Sequence, residues 1–182
     1  MAYTEEEKKF WYQEFTLKGR ILHPNLLEAK ANSSGRMLFG TQFAWHQSEN
    51  QAELAKINAF VAQAKAKYHA LIPDVYFSYP IKHFNTYVKT NGQPNAEYLR
   101  DHYWLNASSG ADRQPMIVNA QLKPVVDRAE VYSGRNAVIR ITFWNNIGGK
   151  DGTGKKGISV NVKAVMLQSG GEEVQRCSGS GY

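Results

Sequence analysis

Two alternating runs of residues on either side of a glycine-rich segment constrain the fold of this 182-residue chain most strongly. Residues 136–144 place Ala, Ile, Ile and Phe on one face. In residues 158–166, Ile158, Val160 and Val162 share one face, and the alternation predicts Ala164 and Met166 on the same face. A period of two indicates strands with one buried face, and the segment Gly148 to Gly157 between them favours a hairpin turn. We therefore predict a β-hairpin late in a β-sheet protein.

One long segment of the sequence has the apolar periodicity of an amphipathic helix. Apolar residues recur at helical spacing from Leu54 to Leu71, with Ser48 as the expected N-cap and Pro73 as the stop. The other regular segments are extended: residues 36–46, 98–106 and 115–118. In the first of these, one face is expected to carry Met37, Phe39, Thr41, Phe43 and Trp45.

Five or six strands and one long helix predict a mainly β fold, an OB-fold-like five-stranded β-barrel with extended loops. Thr4 and Glu7 fit a capping box, so residues 1–14 are expected to be a helix or arm. Residues 15–170 are expected to be the barrel domain. Residues 171–182 are expected to be a flexible tail.

The positive charge is concentrated in one part of the sequence. The formal net charge is +6, and residues 75–165 hold twelve bases against six acids. Such a basic region favours phosphate-bearing partners such as nucleic acids. The single cysteine fits a reducing cytosol, and no apolar run is long enough to span a bilayer.

The glycine-rich segment also resembles a phosphate-binding loop. Gly149, Gly154 and Lys155 match the spacing of that motif, but Lys156 stands where a Ser or Thr would hold magnesium. An alternating strand follows instead of the helix that the motif requires. We therefore interpret the segment as a basic hairpin tip. The histidines and acids show no metal-ligand or catalytic spacing, so we expect no enzyme activity, no metal and no cofactor.

Aromatic residues alternate with basic ones where the positive charge is concentrated. Bases stack on exposed rings while cations follow the phosphates, which is how single-stranded nucleic acid is bound without sequence preference. Some of these rings are equally expected in the core, and a basic face is often only solvated. The candidate DNA-binding residues are the rings of Tyr79, Tyr87, Trp104 and Trp144, the phosphate contacts Lys82, Lys89, Arg100, Arg140 and Lys163, and a clamp of Lys150, Lys155 and Lys156.

The order of segments resembles the phage-encoded single-stranded DNA-binding proteins of OB-fold type, over residues 15–170. The segments that carry the resemblance are MLFGTQFAW, HYWLNASSG, VVDRAEVYSG, AVIRITFWN and KGISVNVKAVMLQSGG. The resemblance implies a protein that coats single-stranded DNA during phage replication, recombination or repair, in the cytoplasm of an infected host. Replication or recombination proteins would be further partners, and a monomer or homodimer is expected.

Two other functions remain open from the sequence. A phage structural or scaffold protein would use the barrel for protein contacts. A duplex DNA or RNA binder would carry the same basic residues.

Overall fold

The computed structural model describes residues 3–148 and 154–174. These residues form two α-helices and eight strands, which are α1 (Glu5–Trp11), β1 (Phe15–Ala31), β2 (Met37–His46), α2 (Gln51–Tyr68), β3 (Phe77–Ser78), β4 (Lys82–His83), β5 (His102–Gly110), β6 (Met116–Val118), β7 (Asn136–Asn146) and β8 (Lys156–Leu167). No helix among them is long and apolar enough to cross a membrane.

Five of the strands close a barrel in the order β1, β2, β5, β8 and β7. The neighbours pair antiparallel except for β5 and β8, which run parallel and close the ring. The short strands β3, β4 and β6 pair at its margins. The prediction of an OB-like five-stranded barrel is confirmed, since this number and order of strands is that of the OB-fold.

The hydrophobic core lies inside this barrel, because alternate side chains of each strand point inward. Phe43 of β2, Leu105 of β5 and Ile139 of β7 are fully buried, as the period of two requires. Met37 was placed on the same face as Phe43, but it is exposed because it pairs with Ala31 at the far end of the long β1–β2 hairpin.

A one-residue bulge at Lys163 alters the inward face of β8. The pairing of β7 with β8 skips this residue, and such an insertion moves the following side chains to the opposite face. Val165 and Leu167 are therefore buried. The prediction that Ala164 and Met166 face the core is wrong.

The helix α1 is confirmed with its predicted capping box, and it packs against the barrel core. The Thr4 side chain accepts from the Glu7 N–H, and the Glu7 carboxylate accepts from the Thr4 N–H. Trp11 is fully buried at the end of α1, and the Phe10 ring stacks on Phe60 of α2 at 4.8 Å between centroids.

The helix α2 begins later than predicted, because Asn50 and not Ser48 is its N-cap. The Asn50 amide pairs with the backbone of Lys18, donating to its C=O at 2.7 Å and accepting from its N–H at 3.1 Å. Ser48 Oγ lies instead 2.8 Å from Nδ1 of His46. Leu71, predicted on the buried face, lies beyond the end of α2 and is almost fully exposed.

Candidate nucleic-acid interface

The outward face of β2 and β5 forms the floor of an open cleft of about 330 Å³. Gln42 of β2 pairs with Asn106 of β5, and Ala44 pairs with Trp104. Their chain neighbours point into the barrel, so these four side chains point outward. Residues 84–99, which we name the cover loop, supply the opposite wall.

Trp104 lies beneath the cover loop. Its ring was expected on an exposed face, but only 3% of the residue is exposed, because Leu99 and Tyr87 pack over it beside Leu22 and Ala44. The assignment to the outward side of the barrel is correct, and the expected exposure is wrong. The Tyr87 ring meets Trp104 edge-on at 5.7 Å between centroids, so an aromatic pair lines the cleft.

Two lysines make the cleft basic. The strand β4 pairs Lys82 with Trp104, and this brings Lys82 Nζ to 5.5 Å from the centroid of the Tyr87 ring. Lys89 lines the cleft from the cover loop, and no carboxylate lies among the described residues of the lining. Burial, and after it the charge of Lys155, lowers the pKa of Lys82.

The cover loop is held in place by its own polar groups. The Asn95 side chain donates hydrogen bonds to the backbone C=O of Phe84 and of Tyr87, at 3.0 and 2.9 Å. The guanidinium of Arg100 stacks 5.3 Å from the centroid of Phe84. These contacts fix the wall of the cleft, in which a single 3-10 turn, Glu97–Leu99, is the regular element.

Several polar residues of the cleft escape the sequence-based list of candidates. Gln42 and Asn106 share the outward faces of their strands with Ala44 and Trp104, so alternation alone identifies them. Asn95 and Tyr98 line the cleft from the cover loop, where no periodicity marks them.

Two further predicted residues do not line the cleft and are engaged within the protein. Arg100 forms two contacts with the Glu97 carboxylate, at 2.5 and 3.0 Å. The Tyr79 hydroxyl donates to Asp74 at 2.9 Å, and its pKa is raised by burial first and by this carboxylate next. A phosphate at Arg100 would have to compete with Glu97.

The predicted basic hairpin carries two lysines in the described part of the chain. Lys155 and Lys156 are exposed at its second arm, and β8 begins at Lys156, which confirms the strand expected there. Lys150 lies outside the described residues.

Three predicted residues lie on β7 and β8 and do not line the cleft. Arg140 and Trp144 point outward from β7, and Lys163 is exposed at the β8 bulge. The strand β7 is separated from β5 by β8 on one side and by β1 and β2 on the other. Arg140 also lies 3.6 Å from the Glu14 carboxylate. The sequence therefore combined two surfaces in its list of candidates.

The side chains that line the cleft are suited to binding a ligand with rings and phosphates. They include rings, ammonium groups and amides. The described residues contain no cluster of three or more histidine, cysteine or carboxylate side chains that could hold a metal ion.

A comparison with known families decides the relationship of this chain. A family model described as the single-stranded DNA-binding protein of Enterobacter phage Enc34 matches residues 15–179. The chain belongs to this family. This match confirms the resemblance found in the sequence, because the family is one of phage single-stranded DNA-binding proteins. No curated protein sequence matches the chain significantly.

Solved structures of phage proteins share the fold at low sequence identity. The single-stranded DNA-binding protein of bacteriophage Enc34, solved in complex with single-stranded DNA, superposes with a TM-score of 0.69 at 15% identity, covering 89% of each chain. The single-stranded DNA-binding protein gp2.5 of bacteriophage T7 gives a TM-score of 0.52 at 13% identity, covering 92% of this chain and 91% of gp2.5. At these identities the likeness shows the shared fold alone.

The lowered pKa of Lys82 leads to a testable pH dependence. A phosphate in the cleft favours the charged lysine, so affinity for a dT oligonucleotide is expected to fall as the pH rises towards the usual lysine pKa of about 10.4. Because the pKa of Lys82 is lowered, the fall should begin below the pH at which an unperturbed lysine titrates. Fluorescence anisotropy at constant ionic strength measures the affinity.

The matched control is Lys82→Arg, because arginine keeps its charge throughout this range. This variant is expected to lose less affinity than the wild type as the pH rises. An identical decline in wild type and in Lys82→Arg would show that another group is responsible.

Proposed function

We propose that this protein binds single-stranded DNA in the β2–β5 cleft with little sequence preference and without catalysing a reaction. Its role would be to coat single strands during phage replication, recombination or repair in the cytoplasm of the infected host. The observation that carries the proposal is that Lys82, Tyr87, Lys89 and Trp104 converge on this one cleft. The strand 2–3 face of an OB-fold, formed here by β2 and β5, is where such folds bind oligonucleotides.

The proposed mechanism combines stacking with counterion release. A base stacks against the half-buried Tyr87 ring, whose position Trp104 fixes from below, and every base offers the same flat face. Phosphates lie against Lys82 and Lys89, and each neutralised phosphate releases condensed counterions. The amides of Gln42 and Asn106 can donate to or accept from any base edge.

The remaining candidate residues extend or compete with this site. Lys155, whose charge acts on Lys82, the neighbouring Lys156, and Arg100, which follows Leu99 of the lining, would add phosphate contacts. Arg140, Trp144 and Lys163 form an alternative DNA surface on β7 and β8. Replication or recombination proteins are proposed as further partners, for a monomer or homodimer.

Salt-titrated binding to a dT oligonucleotide, to its RNA counterpart and to a duplex of equal length tests the proposal. If about five phosphates are neutralised, log affinity for the dT strand falls with log salt at a slope near −3.5, by the single-strand factor of about 0.7. The dT strand is expected to bind more tightly than the duplex, whose bases are stacked on each other and cannot reach the rings. An affinity that is independent of salt would favour the scaffold function. Tighter binding to the duplex or to RNA would favour the other nucleic-acid function.

A further inference from the structure

A second groove lies beyond the end of α2, next to the basic hairpin. It encloses about 400 Å³, and its lining is Ile72, Val75, Tyr76, Gly154, Lys155 and Lys156. None of these six residues lines the cleft described above. The groove therefore combines apolar and aromatic side chains with two ammonium groups.

The apolar wall of this groove faces solvent. Val75 is 78% exposed and Tyr76 is 69% exposed. Both belong to a 3-10 turn, Asp74–Tyr76, whose first residue makes two side-chain contacts. The Asp74 carboxylate accepts from Lys65 at 3.2 Å and from the Tyr79 hydroxyl at 2.9 Å. The turn thus presents the Tyr76 ring outward from a fixed backbone.

The groove and the cleft are neighbours along the chain and in space. Tyr76 precedes β3, which pairs with the start of β8 at Lys156, and Lys82 in β4 pairs with Trp104 on the cleft floor. The six residue steps from Tyr76 to Lys82 span about 22 Å at most. Lys155 lines the groove and is also the charged neighbour that, after burial, lowers the pKa of Lys82.

We propose that the DNA strand leaves the β2–β5 cleft past Lys82 and Lys155 and stacks a further base on Tyr76. This inference rests on the proposed function and extends it to a second stacking site. A stacked strand advances about 3.4 Å per nucleotide, so about six nucleotides cover the distance between the two sites. That length lies within the roughly 4–16 nucleotides that one OB-fold binds.

The composition of the groove favours this occupant over an acidic peptide. Lys155 and Lys156 attract either one, but continuity with Lys82 extends the positive charge directly into the cleft. An exposed tyrosine beside two lysines also repeats the arrangement of Tyr87, Lys82 and Lys89. The groove therefore repeats the ring-and-lysine chemistry of the cleft at a distance that one bound strand can span.

Two oligonucleotide lengths and one substitution test the proposal. A dT strand of about 4 nucleotides fills the cleft alone, and one of about 16 nucleotides reaches both sites. Tyr76→Ala is expected to weaken binding of the longer strand about 10-fold and to leave the shorter strand unchanged, since one stacked base is lost. Tyr76→Phe keeps the ring and is expected to bind both strands as the wild type does.

Tyr12→Ala is the matched control, because Tyr12 is 61% exposed but lines neither the cleft nor the groove. It is expected to leave both affinities unchanged, and equal urea midpoints show that the variants are folded. The proposal is overturned if Tyr76→Ala binds the longer strand as tightly as the wild type does. If Tyr87→Ala still weakens both strands in that case, the cleft remains the DNA site and the groove serves another partner. If Tyr87→Ala has no effect either, the proposed function itself fails.

Discussion

Replacing Trp104 with alanine is expected to lower the free energy of unfolding by about 3–5 kcal/mol, because it removes a buried ring and leaves a cavity. Trp104 packs with Leu22, Ala44 and Leu99 in a cluster outside the main barrel core. Urea denaturation measures the loss. Trp104→Phe, which keeps much of the volume, is expected to lose less.

Trp144→Ala provides the control, since it is the same substitution at a partly exposed, outward position of β7. It is expected to lose less stability than Trp104→Ala. A Trp104→Ala variant as stable as the wild type would mean that the cover loop does not pack on the ring. The cleft would then lack the wall on which the proposed binding mode depends.

Replacing Tyr87 with alanine is expected to weaken binding of a dT oligonucleotide about 5- to 150-fold. The loss corresponds to one base–aromatic stacking contact of about 1–3 kcal/mol. The cation–π contact with Lys82 is lost as well, so the lysine is less well positioned for a phosphate. Fluorescence anisotropy in low salt measures the change.

Tyr87→Phe separates stacking from folding, because it keeps the ring that packs edge-on against Trp104. This variant is expected to bind within about twofold of the wild type, since the hydroxyl takes no part in stacking on a ring face. If Tyr87→Ala binds normally and Trp144→Ala does not, the DNA lies on the β7 surface and the cleft is not the site.

Much of the barrel could be predicted from the sequence, because its strands bury one face and a period of two reports that directly. The hairpin of β7 and β8 and the inward residues from Phe39 to Trp45 were recognisable in this way. The bulge at Lys163 was not recognisable, since an extra residue in one strand depends on its pairing with the other.

The errors at α2 and at the cleft have a common physical cause. The Asn50 amide bonds to Lys18, which is 32 residues earlier in the chain, and no local pattern records such a contact. The cover loop likewise lacks regular periodicity, yet it decides that Trp104 is buried. The sequence identified the outward face of β5 but could not show what covers it.

The candidate site was therefore half predictable. Lys82, Tyr87 and Lys89 were found from the interleaving of rings and cations in the segment that becomes β4 and the cover loop. Arg140 and Trp144 were found by the same criterion, although they lie on β7 and do not line the cleft. Composition detects residues suited to DNA binding, but only the strand order shows which of them meet.

Photo-crosslinking shows directly whether single-stranded DNA lies in the β2–β5 cleft, because it reports which side chains touch the bound strand. A dT oligonucleotide containing 5-iododeoxyuridine would be irradiated with the wild-type protein, and the adducts located by peptide mass spectrometry. If the strand lies in the cleft, adducts are expected in the cover loop and β5, chiefly at Tyr87. Adducts confined to β7, at Trp144, would contradict this placement.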